Sequence, residues 1–360
     1  MRIYRNCKLF LGKSGFVACD VSFGERGLEV LPRGGEGGED LGGALVFPGL
    51  FDMHVHGGGG YTFASDDPGQ VLRAYSAQLA SGTAFLLATY VCLPYRRLKR
   101  CLCALREAMA EEPGILGAYI EGPFINPEKS GGMRRDYIEG WSISEFMALV
   151  EEFGDVISMV VLAPEREEAR EAFRMLDANG IKVALGHSLA SYEEAMEFVE
   201  MGAFCFTHLF NAMGPFHHRD PGIVGAALTC DAYCEVIPEP GHLHPASIKV
   251  ALRAKGNRVV FVSDGTPLSS SSKKEAVFGG CRVKRVGGAC FREDGRLYGS
   301  AISLFEGLSW LVGELSLDWE KVIANNLSML FYFTTRDWGD ILRDRLAFCL
   351  RKGNLKVLDA

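Results

Sequence analysis

Eight short apolar runs, rich in β-branched and aromatic residues, recur along this chain, each followed by a stretch with helical spacing. The runs are Phe51–His56 (FDMHVH), Thr83–Thr89 (TAFLLAT), Ile115–Glu121 (ILGAYIE), Ile157–Leu162 (ISMVVL), Ile181–His187 (IKVALGH), Phe204–His208 (FCFTH), Cys234–Pro238 (CEVIP) and Val259–Asp264 (VVFVSD). Between them lie periodic segments such as Val71–Leu79, Glu165–Leu176, Tyr192–Val199 and Pro245–Lys255. Neighbouring runs are roughly 20 to 40 residues apart, the length of one strand–helix unit. Strands that are apolar nearly throughout belong to a parallel sheet covered on both faces. Eight such units predict a closed (β/α)8 barrel, an α/β fold. An open doubly wound sheet is the rival that the pattern alone leaves standing.

The chain ends differ. Residues 1–46 carry short alternating runs and a Gly-rich loop, RGGEGGEDLGG, which predict a small β layer outside the barrel. Residues 277–299 read as hairpins inserted before a last helix, Ser303–Glu314, and Gly353–Leu358 as a strand returning to the small layer. The expected division is residues 1–46 plus 340–360 in a small β domain and 47–339 in the barrel.

The informative fact is where the polar residues fall. His54 and His56 end the first run, Glu121 the third, His187 the fifth, His208 the sixth and Asp264 the eighth. In a (β/α)8 barrel those ends open onto one face, where active sites lie. His54 and His56 are two apart on an extended strand, so their side chains share a face and can converge on one ion. Imidazole and carboxylate together suit a divalent metal such as zinc or iron. Any one of these residues alone would read as a hydrogen-bonded structural group or a turn residue; the set at matching strand ends predicts a metal site. His217 and His218 (PFHHRDPG) and His242 and His244 (GHLHP) could be surface loop residues or substrate contacts. Gly57–Gly60 has no GK[ST] helix after it and reads as backbone passing close beneath the metal rather than as a phosphate loop.

The totals exclude other classes. A chain of 360 residues with a formal net charge of −7 has no basic face for nucleic acid or an anionic membrane. The longest basic stretch, Arg96–Arg100 (RRLKR), reads as the solvated side of a helix. No segment approaches the roughly 20 apolar residues that span a bilayer. The opening MRIYRNCKLFLG is too short and too charged for a signal peptide. Eleven Cys without CxxC spacing read as reduced, buried thiols, which makes the cytoplasm the expected location.

Six stretches carry these residues: PGLFDMHVHGGGG, IEGPFINPEKSGG, ALGHS, THLFNAMGPFHHRDPG, GHLHP and SDGTPL. Together they resemble the N-acetylglucosamine-6-phosphate deacetylases of the amidohydrolase superfamily, in the family's order over about residues 44–315. The His-x-His pair alone would indicate only the superfamily. The resemblance implies a barrel with a small β-sandwich domain built from both chain ends, and a homodimer. It implies Glu121, His187 and His208 as main metal ligands, with His54 and His56 serving a second, sometimes absent, ion. It implies Asp264 as the catalytic acid/base. Asn211, the backbone of Ala212, Arg219 and His242 match sugar-phosphate contacts, the Arg reaching in from the neighbouring subunit.

The chemistry agrees with that assignment. A bound metal lowers the pKa of water towards ~7 and polarises an acetamide carbonyl. A carboxylate can take the water's proton and pass it to the departing amine, and a guanidinium fork can anchor a phosphate. Three departures stand out. Met133 occupies the place of a His or Gln that helps hold the acetyl carbonyl; Gly265 gives SDG in place of SDA; and ANNLSMLFYFTTRDWGD, within residues 316–352, replaces the family's NPA and Gly-rich closing pattern, which suggests a reduced small domain. The expected activity is deacetylation of N-acetylglucosamine 6-phosphate. The rivals are the galactosamine epimer, another amidohydrolase substrate such as an N-acyl amino acid, and an inactive metal-binding relative.

Overall fold

In the computed structural model, which describes residues 1–24, 27–343 and 347–358, the eight runs are eight parallel strands. They span Leu50–Val55, Thr83–Tyr90, Ile115–Glu121, Ile157–Leu162, Lys182–Leu185, Cys205–Phe206, Tyr233–Val236 and Val259–Phe261, each hydrogen-bonded to the next. The sheet closes on itself. Asp264 N–H donates to His54 O at 2.9 Å, His56 N–H to Gly265 O at 2.8 Å, and Val55 bridges Gly265 in parallel. Closure removes the open-sheet rival and runs its seam through three of the expected site residues.

Several barrel helices start where the sequence writes a cap. Ser142, Ser191 and Ser303 each accept from the backbone N–H of a Glu three residues on, and that Glu side chain returns to the cap's own N–H. Such caps contribute about 0.5–2 kcal/mol each. The helix Tyr95–Glu111 turns Leu98, Leu102 and Leu105 to the core; on its outer side Lys99 and Arg106 pair with Glu152 and Asp155. The basic stretch is therefore a solvated face, as read. The segment expected to be helical from Glu165 starts its helix only at Ala169. Glu165 is drawn into the loops instead, accepting from Asn126 Nδ2, Ser188 Oγ and the Leu189 N–H at 2.6–2.9 Å.

After the eighth strand, Glu275–Phe278, Cys281–Val286, Ala289–Arg292 and Leu297–Ser300 form an antiparallel sheet, the expected hairpins. It walls the mouth of the barrel, because Gly265 bridges Ser300 and the Phe278 ring lies 4.9 Å from that of His56.

The two chain ends meet. Among the described residues, Asn354–Leu358, Ala347–Arg351, Glu39–Phe47, Arg2–Phe10, Phe16–Gly24 and Gly27–Leu31 make one six-stranded sheet, in that order. It has a core of its own that includes Leu9, Val21, Phe23 and Val46. Of the segments expected there, residues 25–26, 344–346 and 359–360 lie outside the described residues. The divergent stretch Ala324–Asp340 contributes a buried tie to the barrel: Asn326 accepts from Phe51 N–H at 2.9 Å and donates to Phe51 O at 2.7 Å. Among the described residues no helix is long and apolar enough to cross a membrane.

Candidate active site

The barrel strands stop short of several polar residues that the sequence places on them. His187 and His208 come two residues after the last paired residues of their strands, Leu185 and Phe206, and Asp264 comes three after Phe261. All three have left-handed backbones, with φ of 47°, 27° and 49°. That conformation costs of order 1–3 kcal/mol at a non-glycine residue and persists only where the surroundings impose it. Here they do. His208 N–H donates to Glu235 Oε2 at 3.1 Å, and Leu209 N–H to Glu235 O at 2.8 Å, while Ser300 N–H donates to Asp264 O at 2.8 Å and Asn126 N–H to His187 O at 2.9 Å.

The side chains converge. Glu121 Oε1 lies 3.1 Å from His187 Nε2 and 3.2 Å from His208 Nε2, and the two nitrogens are 3.0 Å apart. Ligand atoms held at about 2.0–2.1 Å around a tetrahedral ion are about 3.3–3.4 Å apart, so this triangle has the right size for one. A second group shares the same carboxylate, with His54 Nε2 3.5 Å from Glu121 Oε1 and His56 Nε2 3.5 Å from Oε2. Asp264 Oδ1 stands 3.0 Å from His56 Nε2 and 3.6 Å from His54 Nε2. All six residues are buried.

The hydrogen bonds on the far sides of the rings show which atoms face inward. His187 Nδ1 lies 2.6 Å from Lys129 O, His56 Nδ1 3.2 Å from Thr89 O, and His54 Nδ1 2.9 Å from Glu235 Oε2. Carbonyl and carboxylate oxygens only accept, so each Nδ1 carries a proton and each Nε2 points a lone pair into the cluster. There the lone pairs meet one another and the oxygens of Glu121 and Asp264. Among the described residues His54 Nε2 has no hydrogen-bond partner. Acceptors gathered around acceptors in a buried space call for cations between them, and the donor set fits a divalent metal.

The electrostatics point the same way. Burial disfavours a charged His54, yet Glu235 and Glu121 outweigh it and push its pKa up to about 10. Burial likewise opposes a charged His208, but its hydrogen bond to Glu121 raises its pKa. Burial would push the Glu121 carboxyl up; the positive charge that His54 can carry, with His187 and His208 beside its oxygens, holds it well below the usual range. Asp264 is held low against its burial by His56 and His54. The cluster attracts positive charge, as protons or as metal.

Above it opens a cavity of about 390 Å³ lined by His56, Glu121, His187, His208 and Asp264, together with Asn211, Ala212, His242 and Met133. That volume suits a small molecule.

No protein-family model matches the chain. Curated relatives do. It is 32% identical over 290 residues to the N-acetylglucosamine-6-phosphate deacetylase of Bacillus subtilis, covering 78% of this chain and 72% of that protein. The deacetylase of the same name from Vibrio furnissii is 31% identical over 318 residues, covering 85% and 77%. The chain belongs to the N-acetylglucosamine-6-phosphate deacetylase family. The crystal structure of that enzyme from Pasteurella multocida matches it with a TM-score of 0.87 at 26% identity, over 98% of this chain and 96% of the other.

In this N-acetylglucosamine-6-phosphate deacetylase family member the remaining expected residues divide. His242 lines the cavity; its Nδ1 is 2.8 Å from Glu239 Oε2 and its Nε2 3.8 Å from Asp264 Oδ2. His244 does not; it caps the helix Pro245–Lys255, accepting from the Ala246 N–H. Arg219 is exposed and outside the cavity wall, with Nη1 2.9 Å from His218 Nε2. Met133 is in the wall, its sulfur accepting from the Cys92 N–H at 3.3 Å. Gly57 and Gly58 pair with Thr62 and Tyr61 in a tight hairpin and run against Gly265, to whose carbonyl the Gly57 N–H donates. A Cβ at Gly57 would lie 2.2 Å from Tyr61 O, which accounts for the glycine.

Sequence reasoning missed two groups. Lys129, Arg135 and Arg296 line the cavity as cations of this same chain. Lys129 ends the short 3-10 helix Pro127–Lys129, Arg135 begins the helix Arg135–Glu139 and Arg296 lies in a turn, and their approach to one another depends on the closed barrel. Glu235 and Asp52 are fully buried carboxylates behind the histidines. Asp52 accepts from the N–H groups of His54 and Ser263, and burial pushes it up to about 7. The available signal was a lone acid inside each apolar run, FDMHVH and CEVIP.

Proposed function

We propose that this chain hydrolyses the acetamide of N-acetylglucosamine 6-phosphate, releasing acetate and the amino-sugar phosphate. The observation that carries the reading is the meeting of Glu121, His187 and His208 within 3.0–3.2 Å of one another, beside Asp264, in the floor of a small-molecule cavity. Family membership supports the substrate, since the curated relatives bear that activity as their name.

Glu121, His187 and His208 would hold one divalent ion, zinc or iron, and His54 and His56 with Glu121 a second. Such an ion, when bound, would supply Lewis acidity to the acetamide carbonyl and to the attacking water. Asp264, ionised through its neighbours His56 and His54, accepts the water's proton and returns it to the amine nitrogen as the C–N bond breaks. Asn211, the Ala212 backbone and His242 hold the sugar phosphate. Lys129, Arg135 and Arg296 add positive charge from the same chain; Arg135 has no ion pair among the described residues, whereas Arg296 is paired with Asp294 at 2.6 Å. The exposed position of Arg219 supports its service to a partner's cavity in a homodimer. Residues 1–46 with 340–360 form the small β domain and 47–339 the catalytic barrel, and the protein works in the cytoplasm on a free small molecule.

The test is metal analysis of the purified protein beside an amine-release assay. The panel holds both N-acetylhexosamine 6-phosphate epimers, the unphosphorylated sugars and N-acyl amino acids. Fastest turnover on N-acetylglucosamine 6-phosphate is expected. Faster turnover of an N-acyl amino acid would replace the substrate, and no turnover by fully metal-loaded protein would remove the enzymatic reading.

A further inference from the structure

We propose that Glu235 is a positioning residue that couples the two groups of candidate metal ligands, so that neither binds its ion independently of the other. The inference rests on the metal reading above but not on the identity of the substrate.

Glu235 sits in the seventh barrel strand, Tyr233–Val236, with no solvent exposure. One of its oxygens takes three donors. Oε2 accepts from His54 Nδ1–H at 2.9 Å, from Thr207 Oγ1–H at 2.9 Å and from the His208 N–H at 3.1 Å. Its backbone carbonyl accepts from the Leu209 N–H at 2.8 Å. Oε1 has no hydrogen bond among the described residues. A buried carboxylate is costly unless hydrogen bonds to the ionised form compensate it, and three donors on one oxygen do so.

Each contact touches a different part of the site. The bond to Nδ1 fixes the His54 tautomer that turns the Nε2 lone pair towards Glu121, the general task of a carboxylate behind a ligating histidine. The bond from the His208 N–H to that same side-chain oxygen, beside the bond from the Leu209 N–H to the Glu235 carbonyl, holds His208 in the left-handed conformation that aims its ring, with Nε2 3.2 Å from Glu121 Oε1. His54 belongs to one ligand group and His208 to the other. One side chain therefore sets the direction of a nitrogen in each, and Glu121 joins the two on the opposite side.

The experiment compares wild type and Glu235→Gln, which keeps an accepting oxygen but loses the charge. Zinc is titrated into each metal-free protein in competition with a chromophoric chelator, and both stepwise affinities are read. Loss of such a partner typically weakens metal binding about 10–100-fold. We expect a fall of that size for both steps. A fall confined to one step, or affinities within twofold of wild type at both, overturns the coupling. A wild-type protein that binds no zinc overturns the metal reading as well, which separates the two failures. Should Glu235→Gln not fold, the zinc-loaded wild type answers alone through ¹⁵N-histidine spectra, the His54 signal being assigned by its loss in His54→Gln. A protonated Nδ1 on His54 is expected, and a protonated Nε2 there overturns the proposal.

Discussion

Asp264→Asn isolates proton transfer from everything else residue 264 does. The backbone there has φ 49° and is held by two main-chain hydrogen bonds, from its own N–H to His54 O and from the Ser300 N–H to its carbonyl. Asn tolerates the left-handed region nearly as well as Asp, whereas Ala would add strain to the loss of function. Asn also keeps an oxygen where Oδ1 stands 3.0 Å from His56 Nε2. Fold and metal content should therefore survive. What disappears is a group that takes a proton, a contribution of about 10²–10⁴-fold in rate. At about 1.36 kcal/mol per decade that is roughly 3–5 kcal/mol of barrier. The assay is amine release from N-acetylglucosamine 6-phosphate by wild type and variant at matched metal occupancy, with circular dichroism to verify folding. A loss of at least about 10²-fold in kcat is expected. A folded, metal-loaded variant that keeps more than about a tenth of the activity would refute the role of Asp264, because a proton carrier cannot be dispensed with for less than 1.4 kcal/mol of barrier.

Three further outcomes follow from the structure. Arg219→Ala should raise KM for the 6-phosphate sugar by about 10²-fold and leave KM for the unphosphorylated sugar unchanged, since a charge-assisted contact contributes a few kcal/mol; equal effects on both remove the phosphate role, and a monomer on light scattering removes service to a partner's site. Met133→His, which places a donor in a cavity wall where the thioether only accepts, should raise kcat by about tenfold; an unchanged kcat would place residue 133 away from the acyl group. Asn326→Ala leaves the buried N–H and C=O of Phe51 without partners, about 1–3 kcal/mol for each, and should lower the urea midpoint without altering zinc binding.

Much of this protein is written locally. The apolar runs, their spacing and the Ser-x-x-Glu caps at Ser142, Ser191 and Ser303 are signals within a few residues of the structure they specify, so the strand–helix order is readable along the chain. The candidate site was readable for a related reason. A barrel sends every strand end to one face, so a histidine or acid at each end already implies that His54, His56, Glu121, His187, His208 and Asp264 will meet. The sequence also marked the chain ends as separate from the barrel rhythm.

Closure was another matter. Whether the eighth strand meets the first depends on pairing across more than two hundred residues, between His54 and Asp264, and no local pattern encodes it. Glu235 shows in the sequence only as a lone acid in a strand apolar enough to be read as core, and only burial against His54 and Thr207 gives its charge a purpose. His242 and His244 are two residues apart and alike in sequence; one faces the cavity and the other caps a helix because the chain turns between them. Arg219 carries the chemistry of a phosphate anchor, yet the fold leaves it outside the cavity of its own chain. Residue type and spacing determine which chemistry is available, and three-dimensional packing decides which groups lose water together, since desolvation is what turns a carboxylate and an imidazole into a metal site.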